Sequence, residues 1–174
     1  MLCRSGLTAN GAKPSNVEID IDLAAQHLVL RDGGRTLLEA PVSTGANGIG
    51  ERNGSGCTPR GRHIVRAKIG QGVPSGAVFR GRRWTGEVWT PEAHAAQPGR
   101  DWILTRILWL SGLEPGFNRL GEVDTFRRYI YLHGTPPITP LGTPGSKGCI
   151  RMENASIIRL FDLIEPGTVV NLHE

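Results

Sequence analysis

The chain is short of several residue types, and each shortage removes a class of protein. Its three cysteines, Cys3, Cys57 and Cys149, are an odd number at wide spacing among 174 residues. Neither a disulfide framework nor a paired-cysteine metal knuckle fits that pattern. Aromatic residues are 6% of the chain, and only Lys13, Lys68 and Lys147 of its 20 basic residues are lysine. The net charge of +4 is spread from Arg4 to Arg159, and only Arg80, Arg82 and Arg83 form a short basic run. A clustered basic face is the usual footprint of nucleic-acid binding, so no nucleic-acid partner is expected. The most apolar stretch, Trp102 to Leu110, is broken by Thr105 and Arg106 and is too short to span a membrane. The first eight residues contain no apolar core of a secretory signal. The expected location is the cytoplasm, or the periplasm if the N-terminus is truncated.

What is present points to one β-rich globular domain. Hydrophobic residues make up 39% and charged residues 21%, enough apolar material for a core and too little charge for disorder. Glycine (24) and proline (12) together form about a fifth of the chain without periodicity, which favours many turns between short strands over a helical bundle. Residues 1–15 are small and polar and read as a mobile leader, leaving 16–174 as the domain.

Val17, Ile19 and Ile21 alternate with Glu18, Asp20 and Asp22, the period-2 pattern of a half-buried strand. His27–Leu30 follows, then a turn at Asp32-Gly33-Gly34, and Thr36–Val42 as a third strand. A glycine-rich loop runs from Ser43 to Gly56. Further strands are expected at His63–Ala67, Val78–Phe79, Glu87–Trp89, Trp102–Leu110, Arg128–His133 and Thr168–Leu172. Residues 90–100 read as a loop, and the turn-rich segment from Ser111 to Arg127 as a flap over a pocket. One helix is predicted over Glu153–Ile164, where Ile157, Leu160, Phe161 and Ile164 share a face and Pro166-Gly167 ends the run.

The segment that carries chemistry is His133-Gly134-Thr135 followed by Ser146-Lys147-Gly148-Cys149-Ile150-Arg151-Met152. A histidine ends a strand, and a cysteine sits between a glycine and the expected start of a helix. An adjacent imidazole and a helix N-terminus would lower the thiol pKa and raise its reactive fraction, making Cys149 a nucleophile for a carbonyl. Backbone N–H groups at Gly148 and Cys149 would face a tetrahedral oxyanion, Ser146 would hold the loop, and Arg151 would pair with a substrate carboxylate. Against this stand three alternatives. Cys149 can be a small buried hydrophobe, the domain can bind without turnover, or Cys149, His133 and His63 or His94 can hold zinc. Cys3, Cys57 and the other histidines are expected to be incidental, and the tryptophans to be core or pocket wall.

Tyr131-Leu132-His133-Gly134-Thr135 with Ser146-Lys147-Gly148-Cys149-Ile150-Arg151-Met152 resembles the active-site signature of the L,D-transpeptidase (YkuD) catalytic domain. Likeness to the family extends through Val17–Asp20, Ala25–Leu28, Pro41–Gly45, Thr58–Gly61 and the C-terminal helix and strand, and is weakest over 70–127. The resemblance implies a β-sandwich or barrel-like domain with one helix after the catalytic cysteine, acting without a metal or cofactor on peptidoglycan stem peptides or muropeptides. Carried over by position, Cys149 is the nucleophile, attacking the carbonyl of the third-position diamino acid and expelling terminal D-alanine. His133 is the general base, its second ring nitrogen oriented by the Gly134 carbonyl, with Ser146, Gly148 and Arg151 in supporting positions. Lys147 stands where many relatives carry histidine, so His133 serves alone. With water as acceptor the activity is L,D-carboxypeptidase, favoured here because no export signal is seen. With an amine acceptor it is 3→3 transpeptidation.

Overall fold

Alternation builds the first strand, and the apolar runs after it build the next two. In the computed structural model, which describes residues 16–174, β1 (Val17–Asp22), β2 (His27–Asp32) and β3 (Arg35–Pro41) form an antiparallel meander. The expected leader, 1–15, and Cys3 with it, lies outside the described residues. The C-terminal strand pairs in parallel with β1, Ile19 facing Val170 and Ile21 facing Leu172. It also pairs antiparallel with β4 (Gly61–Ile69), so both ends of the domain meet in the middle of one sheet.

β5 (Ala77–Arg80) and β6 (Arg83–Val88) form a hairpin. Its two turn residues, Gly81 and Arg82, have φ of 55° and 63°, the left-handed pair that a tight hairpin turn needs. Residues 90–100, expected to be loop, contain the helix α1 (Pro91–Ala96) instead. The Thr90 hydroxyl accepts the Ala93 N–H, and Pro91 and Glu92 occupy the first turn, a start signal that outweighs the short length.

β7 (Ile103–Gly112) is the hub. One edge carries β4 and β5, the other β8 (Tyr131–Gly134), and β8 pairs in parallel with β9 (Ile150–Met152). Two residues beyond β3, Ser43 bridges Arg151 on β9 through N–H···O bonds in both directions, 3.0 and 2.9 Å. The ten-stranded sheet therefore curls into a half-barrel rather than a two-sheet sandwich. Its inner face buries Ile19, Leu30, Leu108, Leu132, Ile150 and Leu172, and α2 (Asn154–Leu163) covers them with Ile157, Leu160 and Phe161. β10 (Val169–His173) closes the chain.

Two expectations about the site's frame change. Strand β8 starts at Tyr131 rather than Arg128, because Tyr129 adopts φ 56° and breaks the extended run. Cys149 does not border a helix: β9 separates it from α2, so the helix N-terminus is not aimed at the sulfur. The segment after β7 is held down at one edge. The Asn118 side-chain amide donates to the Arg60 and Arg62 carbonyls, and Thr125 Oγ1 bonds the buried His63 ring at 2.9 Å.

Candidate active site

Strand parity decides which side chains meet. In the parallel β8–β9 pair, His133 lies opposite Arg151 and Leu132 opposite Ile150. Because side chains alternate faces, Leu132, Ile150 and Met152 point into the core, while Tyr131, His133, Cys149 and Arg151 share the outer face. Cys149 is one pair diagonal from His133 on that face. Beneath it lies a small apolar floor formed by Tyr131, Ile107, Phe79 and Ala77.

The imidazole is held as the resemblance implied. His133 Nδ1 is 2.7 Å from the Gly134 carbonyl; a carbonyl can only accept, so the proton sits on Nδ1 and the lone pair on Nε2. Gly134 cannot carry a side chain, since a Cβ there would lie 2.8 Å from the Leu104 carbonyl and closer still to Asn154 Oδ1. The neighbouring strand is shaped to fit. Opposite His133 and Gly134, β7 bulges at Thr105, a fully buried β-branched residue with φ 74°. The Thr105 hydroxyl donates to Asn154 Oδ1 at 2.6 Å and accepts the Gly76 N–H at 2.9 Å, which holds this strained residue in place.

The cysteine turn is pinned from outside its own sequence. The Gly145 and Ser146 N–H groups donate to the Thr44 carbonyl, and Thr58 Oγ1 donates to the Gly148 carbonyl at 2.8 Å. Ser146 Oγ donates to the Cys149 carbonyl and accepts the Gly148 N–H at 3.1 Å, the local hold expected of it. Gly148 has φ 123° and sits where a Cβ would come 3.1 Å from the Cys57 carbonyl.

Three expectations need correction. The Gly148 N–H is spent on Ser146 Oγ, which leaves the Cys149 N–H as the donor of the expected pair. Arg151 is already paired: it reaches Asp101 at 2.8 Å and the Gly145 carbonyl at 3.0 Å, and so ties the turn to the segment before β7. The thiol is not kept ionised at rest. Burial pushes it up to about 12 despite the Tyr131 N–H, and burial likewise lowers His133 below its ordinary value despite the Gly134 carbonyl. Cys149 Sγ donates to the Tyr129 carbonyl at 3.2 Å and accepts the Tyr131 N–H at 3.3 Å. Thiol and imidazole are therefore both neutral at rest, because a charge on this apolar floor would lose its hydration.

Several of these partners carried no signal in the sequence. Nothing in the local sequence marks Asp101 or Thr58 as site residues, and Arg128 and Tyr129 fall in the stretch expected to be strand. Arg128 is a brace: its guanidinium donates to the Gly50, Glu51 and Cys57 carbonyls and to Ser55 Oγ, fastening the glycine-rich loop beside the cysteine. The zinc alternative finds no support, since no group of three His, Cys, Asp or Glu side chains suited to a metal occurs among the described residues. The His63 ring nitrogens are engaged by Gly61 and Thr125. No helix of the described residues is long and apolar enough to cross a membrane.

A curled, mostly β domain with a strand-end histidine and a neighbouring turn cysteine on one face defines a class of thiol-site domains. Within it, a family model for the L,D-transpeptidase catalytic domain (YkuD) matches residues 16–172, and the chain belongs to that family. Solved structures with this fold include an L,D-transpeptidase from Mycobacterium smegmatis, 18% identical, with a TM-score of 0.57 over 91% of this chain and 59% of that one. Another, from Xylanimonas cellulosilytica, is 22% identical with a TM-score of 0.56, covering 91% and 61%. L,D-transpeptidase 3 from Mycobacterium tuberculosis is 14% identical with a TM-score of 0.55, covering 91% and 61%. The chain thus spans less than two thirds of the length of these structures. No curated protein matches it.

Proposed function

We propose that this domain catalyses acyl transfer on peptidoglycan stem peptides through Cys149, cleaving the L,D bond between the third-position diamino acid and terminal D-alanine. The observation that carries this reading is the β8–β9 register. It sets Cys149 and a tautomer-locked His133 on one face, in a chain of the L,D-transpeptidase catalytic domain family. As Sγ attacks the carbonyl carbon, its proton passes to His133 Nε2. The C–N bond then breaks, the imidazolium protonates the departing D-alanine amine, and a thioester remains. An acceptor loses a proton to Nε2, attacks the thioester, and the sulfur leaves as the thiol. Because thiol and imidazole are neutral at rest, proton transfer accompanies attack, and the Cys149–His133 hydrogen bond forms once substrate turns the thiol away from Tyr129. The Cys149 N–H supports the developing oxyanion.

The acceptor in our reading is water, making the enzyme an L,D-carboxypeptidase. A cleft of ≈ 320 Å³ beside the turn is lined by Lys147, Arg100 and Arg151, with Asp101 its one acid. Asp101 is bound to Arg151, which leaves no free carboxylate to hold an acceptor ammonium. The test is to incubate the protein with a disaccharide tetrapeptide and follow products by mass spectrometry. Tripeptide plus D-alanine is expected, and Cys149→Ala abolishes it. A crosslinked dimer would replace water by an amine as acceptor while keeping the thioester; unchanged tetrapeptide would overturn the catalytic reading.

A further inference from the structure

We propose that a second cleft, on the opposite side of Lys147, is a carboxylate-binding subsite in which Lys147 and Arg127 anchor an anionic group of the peptide beside the reacting sulfur. The proposal rests on the thiol acyl-transfer reading above and adds what the substrate must carry.

The cleft holds ≈ 280 Å³ and is walled by Asn53, Arg127, Arg128, Tyr129, Ile130 and Lys147. It adjoins the reaction centre, since Tyr129, which lines it, is the residue whose carbonyl accepts from Cys149 Sγ. No acidic residue lines it. Two acids lie close by, each with hydrogen bonds of its own. Asp124 accepts the backbone N–H groups of Leu120 and Arg127 at 2.7 and 3.0 Å, and Glu51 bonds the Arg60 guanidinium at 2.8 Å.

The three cations differ in what they can give. Arg128 is half-buried and its donors go to the glycine-rich loop. It fixes the wall and adds positive field without offering free N–H groups. Lys147 and Arg127 are exposed, and Arg127 is close enough to Asp124 for its charge to help hold that carboxyl below its ordinary value. Two exposed cations, a third behind them and no acidic residue in the lining form a site for an anion, and at the end of a peptide that anion is a carboxylate. In the first cleft, which Lys147 also borders, the other cations are engaged: Arg151 is neutralised by Asp101, and Arg100 stacks on Trp102 and bonds Gln97.

Two groups of a stem peptide supply a carboxylate near the scissile bond: the C-terminus of the departing D-alanine, and the side chain of a third residue that is diaminopimelate rather than lysine. The experiment measures kcat/KM for tetrapeptides in four forms, C-terminal acid or amide, each with diaminopimelate or lysine at position three. It compares the parent protein with Lys147→Met, Arg127→Gln and the double variant, with folding checked by circular dichroism. The parent is expected to favour one carboxylate-bearing form over its neutral counterpart, and each single variant to cut that preference about fivefold, the scale of one part-exposed ion pair. An acid-to-amide preference lost in the double variant assigns the site to the leaving residue. A diaminopimelate-to-lysine preference lost there assigns it to the third residue. Preferences unmoved by the double variant overturn the subsite. If no form is turned over, the catalytic reading is at fault, and the subsite is judged by NMR titration of the Cys149→Ala protein with the same peptides. Carboxylate-dependent binding weakened by Lys147→Met sustains it, and equal binding of acid, amide and lysine forms overturns it.

Discussion

The resting charge state of Cys149 makes a demanding prediction for its reactivity toward iodoacetamide. Only the thiolate is alkylated, so the rate follows its fraction. A free thiol with a pKa of about 9 is roughly one tenth ionised at pH 8, whereas one at about 12 is ionised in roughly one molecule in ten thousand. In a protein carrying Cys3→Ser and Cys57→Ser, alkylation of Cys149 at pH 8 should therefore be about a thousandfold slower than that of glutathione. It should also rise about tenfold per pH unit through pH 10 without levelling. The slope is the decisive quantity, since crowding by Tyr129 and Tyr131 lowers the rate equally at every pH. His133→Ala should leave this profile unchanged, because the imidazole is neutral and bonded to Gly134 at rest, yet lower turnover by about 10² to 10⁴. A plateau below pH 8 that disappears in His133→Ala would show a thiolate–imidazolium pair and refute the argument from burial.

Three further outcomes follow from the frame around the pair. Ser146→Ala removes the acceptor of the Gly148 N–H and the donor to the Cys149 carbonyl; urea denaturation should show a loss of about 1 to 3 kcal/mol, with kcat falling more than KM rises. Gly134→Ala forces a methyl against the Leu104 carbonyl, costing about 1 to 3 kcal/mol and reducing D-alanine release to the level of Cys149→Ala; near-normal release would mean that the strand yields there without cost to His133. His63, buried and lowered to about 4 from 6.5, stays neutral in the folded protein. Its contribution is present above pH 6.5 and is lost as pH falls toward 4, about 3 kcal/mol in all. Denaturation midpoints at pH 7 and 4.5 should differ more in the parent than in His63→Gln, and parallel curves would exclude His63 as the source.

Much of the frame was legible because it is written in local patterns. Period-2 alternation locates β1, apolar runs beside turns locate β2, β3 and β10, and the 3.6-residue spacing of Ile157, Leu160, Phe161 and Ile164 locates α2 nearly to its ends. The pairing of a strand-end histidine with the Ser146–Met152 turn marks the site, and the Gly134 carbonyl as the imidazole's partner is what the family resemblance implies. Helix α1 was missed although Thr90-Pro91-Glu92 encodes its start, because six residues give periodicity too little length to register.

Only the folded chain decided the electrostatics. Whether a thiol is ionised depends on how much water surrounds it, and the floor beneath Cys149 is assembled from β5, β7 and β8, which no local pattern brings together. Asp101 claims Arg151, Thr44 and Thr58 hold the cysteine turn, and Tyr129 turns its carbonyl to the sulfur, all across separations set by strand pairing. Sequence determines which groups exist and which face of a strand each occupies; distance, burial and competition among partners arise when distant segments pack.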